Sequence, residues 1–277
     1  MMSKLEALLA ERRPLVMGVV NVTPDSFSDG GRYLKVDAAV KRALSMVEEK
    51  VDIVDVGGES TRPGAEPVSE ETELKRVVPV IQKIREESEV CISVDTSTPE
   101  VMRQAALVGC DVINDVRSLT REGALGAAAE SGLAVCLMHM KGEPSHMQNN
   151  PTYENLIDEI RDFFRERISA CDHAGIKRKQ LLIDPGFGFG KTALHNLELV
   201  NRLRHFKSFG LPILIGVSRK STIKKILGGN NDNLKIASVA AALIASLNGA
   251  DVLRVHDVTE TVAALRVAQS IVEESIF

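Results

Sequence analysis

The sequence predicts an α/β fold of the (β/α)8 or TIM-barrel type, built as one domain that spans residues 1–277. Three observations support this prediction. Short apolar segments recur eight times along the chain and alternate with segments of helical periodicity. The apolar segments are hydrophobic almost without interruption, which is typical of parallel strands buried on both faces. The length of 277 residues also agrees with the typical barrel length of about 250 residues.

The number of predicted strands favours a barrel over an open sheet. An open, doubly wound sheet is the other common α/β fold, but it usually contains fewer strands. The chain has no Ser/Gly-rich linker, low-complexity segment or sequence repeat that would mark a second domain. The eight strands are predicted at 15–20, 53–56, 91–94, 112–113, 134–138, 181–183, 213–215 and 252–253.

The helices are predicted where apolar residues recur every three to four positions. In the first of them, Ala39, Leu44 and Val47 belong to the inner stripe. Another is marked by its start, with Thr98 as N-cap and Pro99 in the first turn. The predicted helices are 38–49, 70–87, 99–108, 153–174, 194–204, 222–227, 233–247 and 259–275.

Composition and charge exclude several classes of partner. The formal net charge is −4, so no basic excess indicates a nucleic-acid or anionic-membrane partner. No uncharged run reaches the roughly 20 residues of a membrane span, and the charged N-terminus does not resemble a secretory signal. Four cysteines without a CxxC pair suggest free thiols in a reducing compartment. A cytoplasmic location is therefore expected.

Polar residues follow nearly every predicted strand. In this barrel the functional groups lie at the carboxyl ends of the strands, so these residues should converge on one rim. Polar loops alone explain one or two such positions, but they explain poorly a regular series of carboxylates, amides and cations. The rim residues are Asn21, Glu59 to Arg62, Asp95, Asn114, Asp115, His139, Asp184, Ser218 to Ser221, Arg254 and His256.

Three of the rim residues suit a planar heterocycle. Asp95, Asn114 and Asp184 follow the third, fourth and sixth strands. Each alone reads more simply as a turn or cap residue. Together they offer two carboxylates that accept from amino and ring N–H groups, and an amide that both donates and accepts.

A second group of rim residues suits an anion. Lys220 lies in the segment Ser218 to Ser221, which leads into a helix, and a solvated helix cap explains that segment equally well. Arg254 and His256 share a face of the last strand, and phosphate sites after the last two strands are common in this barrel. Residues 186–192 fail the P-loop pattern, and the dinucleotide pattern matches only weakly when it starts at Gly188, but the glycines would let Phe189 approach a flat ligand.

The loops 21–31 and 57–64 combine Pro, Gly and hydroxyl residues. They are either surface Ω-loops or lids that close over a substrate. The six histidines show no metal-binding spacing, which argues against a structural zinc site. A hard cation held by an amide oxygen and substrate phosphates would leave little trace in the sequence.

Seven motifs carry a resemblance to the dihydropteroate synthase family. They are NVTPDSFSDGG at 21–31, DVGGESTRPG at 55–64, VDTS at 94–97, IND at 113–115, DPGFGFGK at 184–191, GVSRKS at 216–221 and RVHDV at 254–258. The chain resembles this family over nearly its whole length. The resemblance implies a folate-pathway transferase that joins 6-hydroxymethyl-7,8-dihydropterin diphosphate to 4-aminobenzoate, is inhibited by sulfonamides, and is a homodimer.

The resemblance also implies roles for individual residues. Asp95, Lys220, Arg254 and His256 would be catalytic, with Arg254 and His256 as the diphosphate clamp. Asp95, Asn114 and Asp184 resemble the pterin-binding set, with Lys220 beside them. Asn21 resembles a Mg²⁺ ligand. The residues that resemble the 4-aminobenzoate surroundings are Phe27, Thr61, Arg62, Pro63, Phe189 and Ser221.

The residue chemistry agrees with this reaction. Breaking the pterin methylene–oxygen bond forms a delocalised cation and releases diphosphate, so an SN1-like path is expected. Three alternatives remain. They are a pterin-binding methyltransferase barrel, another phosphate-handling barrel enzyme, and a non-catalytic pterin carrier. A methyltransferase barrel would need neither of the two long loops. Another phosphate-handling enzyme would lack the carboxylates that suit a pterin, and a carrier would not need a diphosphate clamp.

Overall fold

Eight parallel strands form a single sheet in the order β6-β5-β4-β3-β2-β1-β8-β7. The computed structural model describes residues 2–23, 32–60, 68–144 and 146–274. The sheet closes because Ile183 of β6 bridges Ile213 in parallel and its amide donates to the Pro212 carbonyl at 3.0 Å. The predicted (β/α)8 barrel is thereby confirmed. The strands are β1 Leu15–Asn21, β2 Ile53–Gly57, β3 Cys91–Asp95, β4 Val112–Asp115, β5 Ala134–Met138, β6 Leu181–Asp184, β7 Leu214–Ile215 and β8 Val252–Val255.

The helices surround the barrel, and most of them follow the prediction closely. In the described part of the chain, the short 3₁₀ helices Arg178–Gln180 and Leu203–Phe209 precede β6 and β7. No helix of the described residues is both long and apolar enough to cross a membrane. The α-helices are α1 Lys4–Ala10, α2 Arg32–Glu48, α3 Glu70–Glu87, α4 Pro99–Leu107, α5 Ala124–Ser131, α6 Leu156–His173, α7 Ala193–Asn201, α8 Ser221–Ile226, α9 Leu234–Leu247 and α10 Val258–Glu273.

The structure differs from the prediction in several places. Sequence analysis missed α1 and α5, and the predicted helix 194–204 ends at Asn201, before a 3₁₀ helix begins. Several strands extend one or two residues further, so that Asp95, Asn114 and Asp184 are the last or nearly last residues of their strands. Thr98 is the N-cap of α4 as predicted, but its hydroxyl donates to Glu73 on α3 at 2.6 Å.

Two separate hydrophobic cores follow from the alternation of side chains along each strand. The larger core lies between the barrel and the helices and includes Val54, Ile92 and Ile183. The smaller core fills the lower barrel interior, where Leu5 of α1 packs against it. Its strand residues are Leu15, Met17, Ile53, Cys91, Val112, Ala134, Cys136, Leu182, Leu214 and Val252.

Candidate active site

The inward-facing positions of the barrel change from apolar to polar toward the carboxyl ends of the strands. Residues two apart share a face, and on five of the strands an inward polar residue follows an apolar residue of the inner core. Strand register places Gly57 of β2 beside Asp95, and Asp95 beside Asn114. These polar residues are all buried or half-buried at one end of the barrel. They are Asp55 after Ile53, Ser93 and Asp95 after Cys91, Asn114 after Val112, Asp184 after Leu182, and Arg254 after Val252.

Arg254 forms a double ion pair at the centre of this end. Its Nε donates to Oδ2 of Asp55 and its Nη2 donates to Oδ2 of Asp95, each at 2.6 Å. The amide of Asn114 also donates to Oδ2 of Asp55 at 3.3 Å. One cation is thus shared by carboxylates from two neighbouring strands, and charge-assisted bonds of this kind fix its orientation.

Burial dominates the electrostatics of these groups. Burial is the main cause that raises the pKa of Asp95 to about 7; Arg254 opposes the rise, whereas the nearby carboxyl of Asp55 adds to it. Burial disfavours the charged form of Arg254, but Asp55 and Asp95 outweigh that effect and raise its pKa above the ordinary value. A carboxylate that titrates near neutrality beside a fixed cation is typical of functional sites.

Asp184 and Lys220 form the opposite wall of the site. Oδ1 of Asp184 accepts from the amide of Gly186 at 2.7 Å, while burial raises the pKa of this carboxyl. Lys220 donates to the Phe187 carbonyl, and its Nζ lies 4.5 Å from the centre of the Phe189 ring. Burial lowers the pKa of Lys220 to about 8, although Asp184 opposes this. A cation and a flat aromatic surface therefore lie beside a buried carboxylate.

The segment after β7 separates its two cations. Arg219 donates to Asp257, which turns its guanidinium away from the barrel interior, whereas Lys220 points inward. His256 contacts Ser218, with 3.1 Å between Nδ1 and the hydroxyl oxygen. Ser218 and His256 thus link the end of β7 to the end of β8. Of the two cations in the predicted segment Ser218 to Ser221, only Lys220 is directed at the buried carboxylates of the barrel end.

Comparison with known proteins identifies the family. The model of a family described as pterin binding enzymes matches residues 17–256. The dihydropteroate synthase of Escherichia coli strain K12 is 53% identical over 257 residues, which cover 93% of this chain and 91% of that protein. The chain belongs to the dihydropteroate synthase family of pterin-binding enzymes.

Solved structures of the family have the same fold. The Yersinia pestis dihydropteroate synthase, crystallised as a sulfonamide drug complex, has a TM-score of 0.90 and 48% identity, with 95% of each chain covered. The Xanthomonas albilineans dihydropteroate synthase in complex with 7,8-dihydropteroate has a TM-score of 0.85 and 45% identity, with 94% of each chain covered. The likeness covers the whole barrel in both cases.

The structure brings several of the predicted site residues together at the carboxyl ends of the strands. Asp95, Asn114, Asp184, Lys220 and Arg254 surround one space at the end of the barrel, and His256 follows on the β8 side. Phe189 is half-buried beside Lys220, Ser221 is exposed at the start of α8, and Asn21 ends β1. Phe27, Thr61, Arg62 and Pro63 lie outside the described residues, so their predicted roles stay predictions.

Sequence reasoning missed Asp55, Phe187 and Lys191. Asp55 carried a usable signal, because a carboxylate in the middle of the apolar strand Ile53–Gly57 must have a buried partner. Lys191 is also buried, and its Nζ lies 2.9 Å from Nδ1 of His139. His139 was predicted to belong to the rim. It directly follows β5 as predicted, and its ring packs edge-on against Phe163 of α6, with 5.0 Å between the ring centres.

Among residues 2–23, 32–60, 68–144 and 146–274, no cluster of three or more His, Cys, Asp or Glu side chains could hold a metal ion by itself. Asp55 and Asp95 are already engaged by Arg254. Asn21 ends β1 beside Gly57, the last residue of β2, and offers a single neutral oxygen. This donor set fits a hard cation only if a bound ligand and water supply the other oxygen atoms.

Proposed function

We infer that the chain is a dihydropteroate synthase, a transferase that condenses 6-hydroxymethyl-7,8-dihydropterin diphosphate with 4-aminobenzoate to give 7,8-dihydropteroate and pyrophosphate. The single observation that carries this inference is the buried set Asp95, Asn114 and Asp184 opposite Lys220 and Arg254 at one barrel end. Pterin N–H groups need buried acceptors, and a diphosphate needs cations. A pterin carrier would not need the cations Lys220 and Arg254.

The pterin ring fits between the carboxylates of β3 and β6. Asp184 has one oxygen fixed by the Gly186 amide, which leaves Oδ2 to accept from the heterocycle. Asn114 is held by Asp55 through its amide nitrogen, which leaves its carbonyl oxygen as an acceptor. Because these hydrogen bonds already hold both side chains in place, the acceptors need little reorganisation when the ring binds.

Cleavage of the carbon–oxygen bond leaves a positive charge on the pterin methylene and a negative charge on the departing diphosphate. Asp95 and Asp184 favour the cation. Arg254 and His256 stabilise the leaving group, and Lys220 supplies a further positive charge beside Asp184. The amine of 4-aminobenzoate then attacks the methylene to form a carbon–nitrogen bond, and the resulting ammonium group passes one proton to solvent. Phe189 gives this second substrate an aromatic surface, for which sulfonamides would compete.

Magnesium is proposed as the metal, with Asn21 as its protein ligand. When bound, it would neutralise part of the diphosphate charge and assist departure of the leaving group. Support comes from the position of Asn21 at the carboxyl end of β1, two strands from Asp95. Calorimetric titration of the Asn21→Ala variant with pyrophosphate, with and without Mg²⁺, tests this role. Loss of the magnesium dependence is expected.

A homodimer is proposed for the assembly. The outer surfaces of α9 and α10 expose large apolar side chains, which monomeric proteins usually avoid over wide areas. Sedimentation of the native chain and of an Ile244→Glu variant tests this arrangement, and only the variant should sediment as a monomer. The exposed residues are Ile236, Ile244, Leu247, Val267, Ile271 and Val272.

A cytoplasmic location is proposed from the same cysteines that suggested it in the sequence. Cys91, Cys110, Cys136 and Cys171 are all buried free thiols in the structure. Burial raises the pKa of each, so all four are protonated and unreactive at neutral pH. Fractionation of the source cells tests the location.

Release of pyrophosphate from the pterin diphosphate, measured with and without 4-aminobenzoate, tests the function. Release that depends on 4-aminobenzoate and is matched by formation of dihydropteroate is expected. Pterin binding without release would indicate a carrier. Release without consumption of 4-aminobenzoate would indicate a different phosphate-handling enzyme.

A further inference from the structure

Two loops beside the active site are packed backbone against backbone. The β5 loop comprises residues 139–155, apart from Ser145, and the β6 loop comprises residues 185–192. A Cβ atom on Gly186 would lie 1.8 Å from the His139 carbonyl oxygen, and one on Gly190 would lie 2.2 Å from the Lys141 carbonyl oxygen. Both glycines also have positive φ, so no other residue fits there without moving a loop.

Three successive carbonyls of the β6 loop accept hydrogen bonds from side chains. Two of the donors come from the β5 loop and the third is the amine of Lys191, at the end of the β6 loop itself. The bonds run from Gln148 Nε2 to the Gly188 carbonyl, from Lys191 Nζ to the Phe189 carbonyl at 3.0 Å, and from the Tyr153 hydroxyl to the Gly190 carbonyl at 2.8 Å. The path of the β6 loop is therefore set largely by these donors.

Lys191 joins the two loops most directly. Its buried Nζ bonds the Phe189 carbonyl of the β6 loop, and it contacts both Nδ1 and the carbonyl of His139 in the β5 loop, at 2.9 and 3.4 Å. Burial, together with Lys191 and Lys141, lowers the pKa of His139 well below its usual value. The His139 ring is therefore neutral, and Nδ1 accepts the bond from Lys191.

The β6 loop in turn holds Lys220. The Phe187 carbonyl accepts from its Nζ, and the Phe189 ring lies 4.5 Å away from it. A Cβ on Gly188 would lie 3.1 Å from Cδ of Lys220, so the lysine stem rests against the loop backbone. Any shift of this loop therefore moves the carbonyl and the ring that surround the catalytic cation.

We propose that Lys191 is a positioning residue, whose buried amine ties the β6 loop to the β5 loop and thereby holds Lys220 against Asp184. Its hydrogen-bond partners are the His139 ring, the His139 carbonyl and the Phe189 carbonyl, all of them groups of the two loops. This inference rests on the proposed function, because Lys220 matters only if a pterin diphosphate binds there. The cost of a misplaced group is large, since a shift of about 1 Å can lower a rate by roughly 100-fold.

The Lys191→Met variant tests this proposal, because methionine preserves the apolar stem and removes the donors. Lys141→Met is the matched control. Lys141 also belongs to the β5 loop and also donates to a carbonyl, that of Thr152 at 2.7 Å, but its half-exposed amine makes no bond to the β6 loop. Each variant is measured for thermal unfolding, affinity for the pterin alcohol by calorimetry, and the pH profile of kcat/KM.

The pH profile separates positioning from a merely structural role. Lys220 is faced by Asp184 of β6, Asp95 of β3, Arg254 of β8 and Lys191 of the β6 loop, and burial is the largest influence on it. If the loop relaxes, Lys220 becomes more hydrated and its pKa rises from about 8 toward its ordinary value. The alkaline limb of kcat/KM should therefore move to higher pH, while the pterin affinity and kcat/KM at pH 7 fall about 10- to 100-fold.

A folded Lys191→Met variant with an unshifted alkaline limb and unchanged kcat/KM would overturn the proposal. So would equal losses in the Lys141→Met control. If the methionine variant does not fold, Lys191→Gln decides, because its side chain is one atom shorter than that of lysine and cannot keep all three contacts of the amine, so the alkaline limb should still move to higher pH. An inactive wild-type chain would instead refute the proposed function, whereas pterin affinity would still report on Lys191.

Discussion

Arg254 shows how single residues act in this site. It is the shared partner of two buried carboxylates, so its removal would leave Asp55 and Asp95 uncompensated in the barrel interior. The sequence predicted Arg254 and Asp95 from their positions at strand ends. It did not predict their contact, because no pattern along the chain shows which side chains meet across a barrel. Asp55 was missed although its place within an apolar strand indicated a buried partner, whose identity the sequence could not give.

The carboxylate of Asp184 should account for much of the pterin affinity. Asp184→Asn preserves the acceptor for the Gly186 amide and removes the charge. A hydrogen bond to a charged group contributes roughly 1.5–3 kcal/mol, so the affinity for the pterin alcohol should fall about 10- to 100-fold. Calorimetry checks this, with Asp172→Asn on the exposed surface of α6 as the control. Unchanged affinity in a folded variant would remove Asp184 from the pterin site.

His256 should distinguish the diphosphate substrate from the alcohol. It follows Arg254 on the same face and contacts Ser218, at the side of the barrel where the leaving group is expected. His256→Ala should weaken the diphosphate about 10- to 100-fold and leave the alcohol nearly unchanged. His173→Ala, on the exposed end of α6, is the control. Equal losses for both ligands would place the anion elsewhere.

Asp95 should make the fold less stable as the pH rises. Its pKa is 3.8 in the unfolded reference and about 7 in the folded chain, so the native state binds more protons between these values. The free energy of unfolding should therefore fall across this range on account of this group, and its contribution is fully present only below pH 3.8. Denaturant titrations of the native chain and of Asp95→Asn check this. If the free energy of unfolding depended on pH in the same way in both proteins, the prediction would be contradicted.

Secondary structure was predictable where the periodicity was strong. The long helix Glu70–Glu87 has the predicted bounds, and β5 is also unchanged. By contrast, α5 is short and rich in alanine, so it carries no distinct stripe of large apolar residues. The charged residues of the N-terminal segment also obscured α1 in the sequence. Its Leu5 side chain packs against the inner core, which is a tertiary contact that no local pattern reveals.

The helix α1 should stabilise the barrel without contributing to catalysis. Leu5 is only 3% exposed and belongs to the inner core, at the end remote from the polar residues. Leu5→Ala should lower the free energy of unfolding by about 2–5 kcal/mol. Leu194→Ala is the control, since that side chain is 77% exposed and should change stability by less than about 0.5 kcal/mol. Denaturant unfolding checks both, and a loss of kcat in Leu5→Ala would argue against a purely structural helix.

At the scale of the whole molecule, the two long loops begin at neighbouring points. Asn21 and Gly57, from which they leave β1 and β2, are register partners, and Gly57 is itself the partner of Asp95. The sequence motifs predicted that both loops serve one site, and the adjacency of their roots agrees. Phe27, Thr61, Arg62 and Pro63 stay predictions, because they lie outside the described residues.

Binding of 4-aminobenzoate should depend on an anion already in place. Asn21 and Arg62 are predicted to meet the diphosphate, whereas Phe27 and Pro63, on the same two loops, are predicted to meet 4-aminobenzoate. Pyrophosphate with Mg²⁺ should therefore raise the affinity for 4-aminobenzoate, and the coupling must be reciprocal. Equilibrium titration with and without pyrophosphate and Mg²⁺ checks this. Equal affinities would show that the second site is complete without the anion.

The closure of the barrel has a consequence for motion. Between β6 and β7 the sheet is joined by a single isolated bridge, and β7 itself is only two residues long. This narrow seam lies between the strand that ends in Asp184 and the strand that leads to Lys220. A fluctuation that widens this seam would separate Asp184 from Lys220. The same displacement between the longer paired strands β1 and β2 would not. We expect thermal fluctuations that open the barrel to occur preferentially at this seam, where they would change the distance between Asp184 and Lys220.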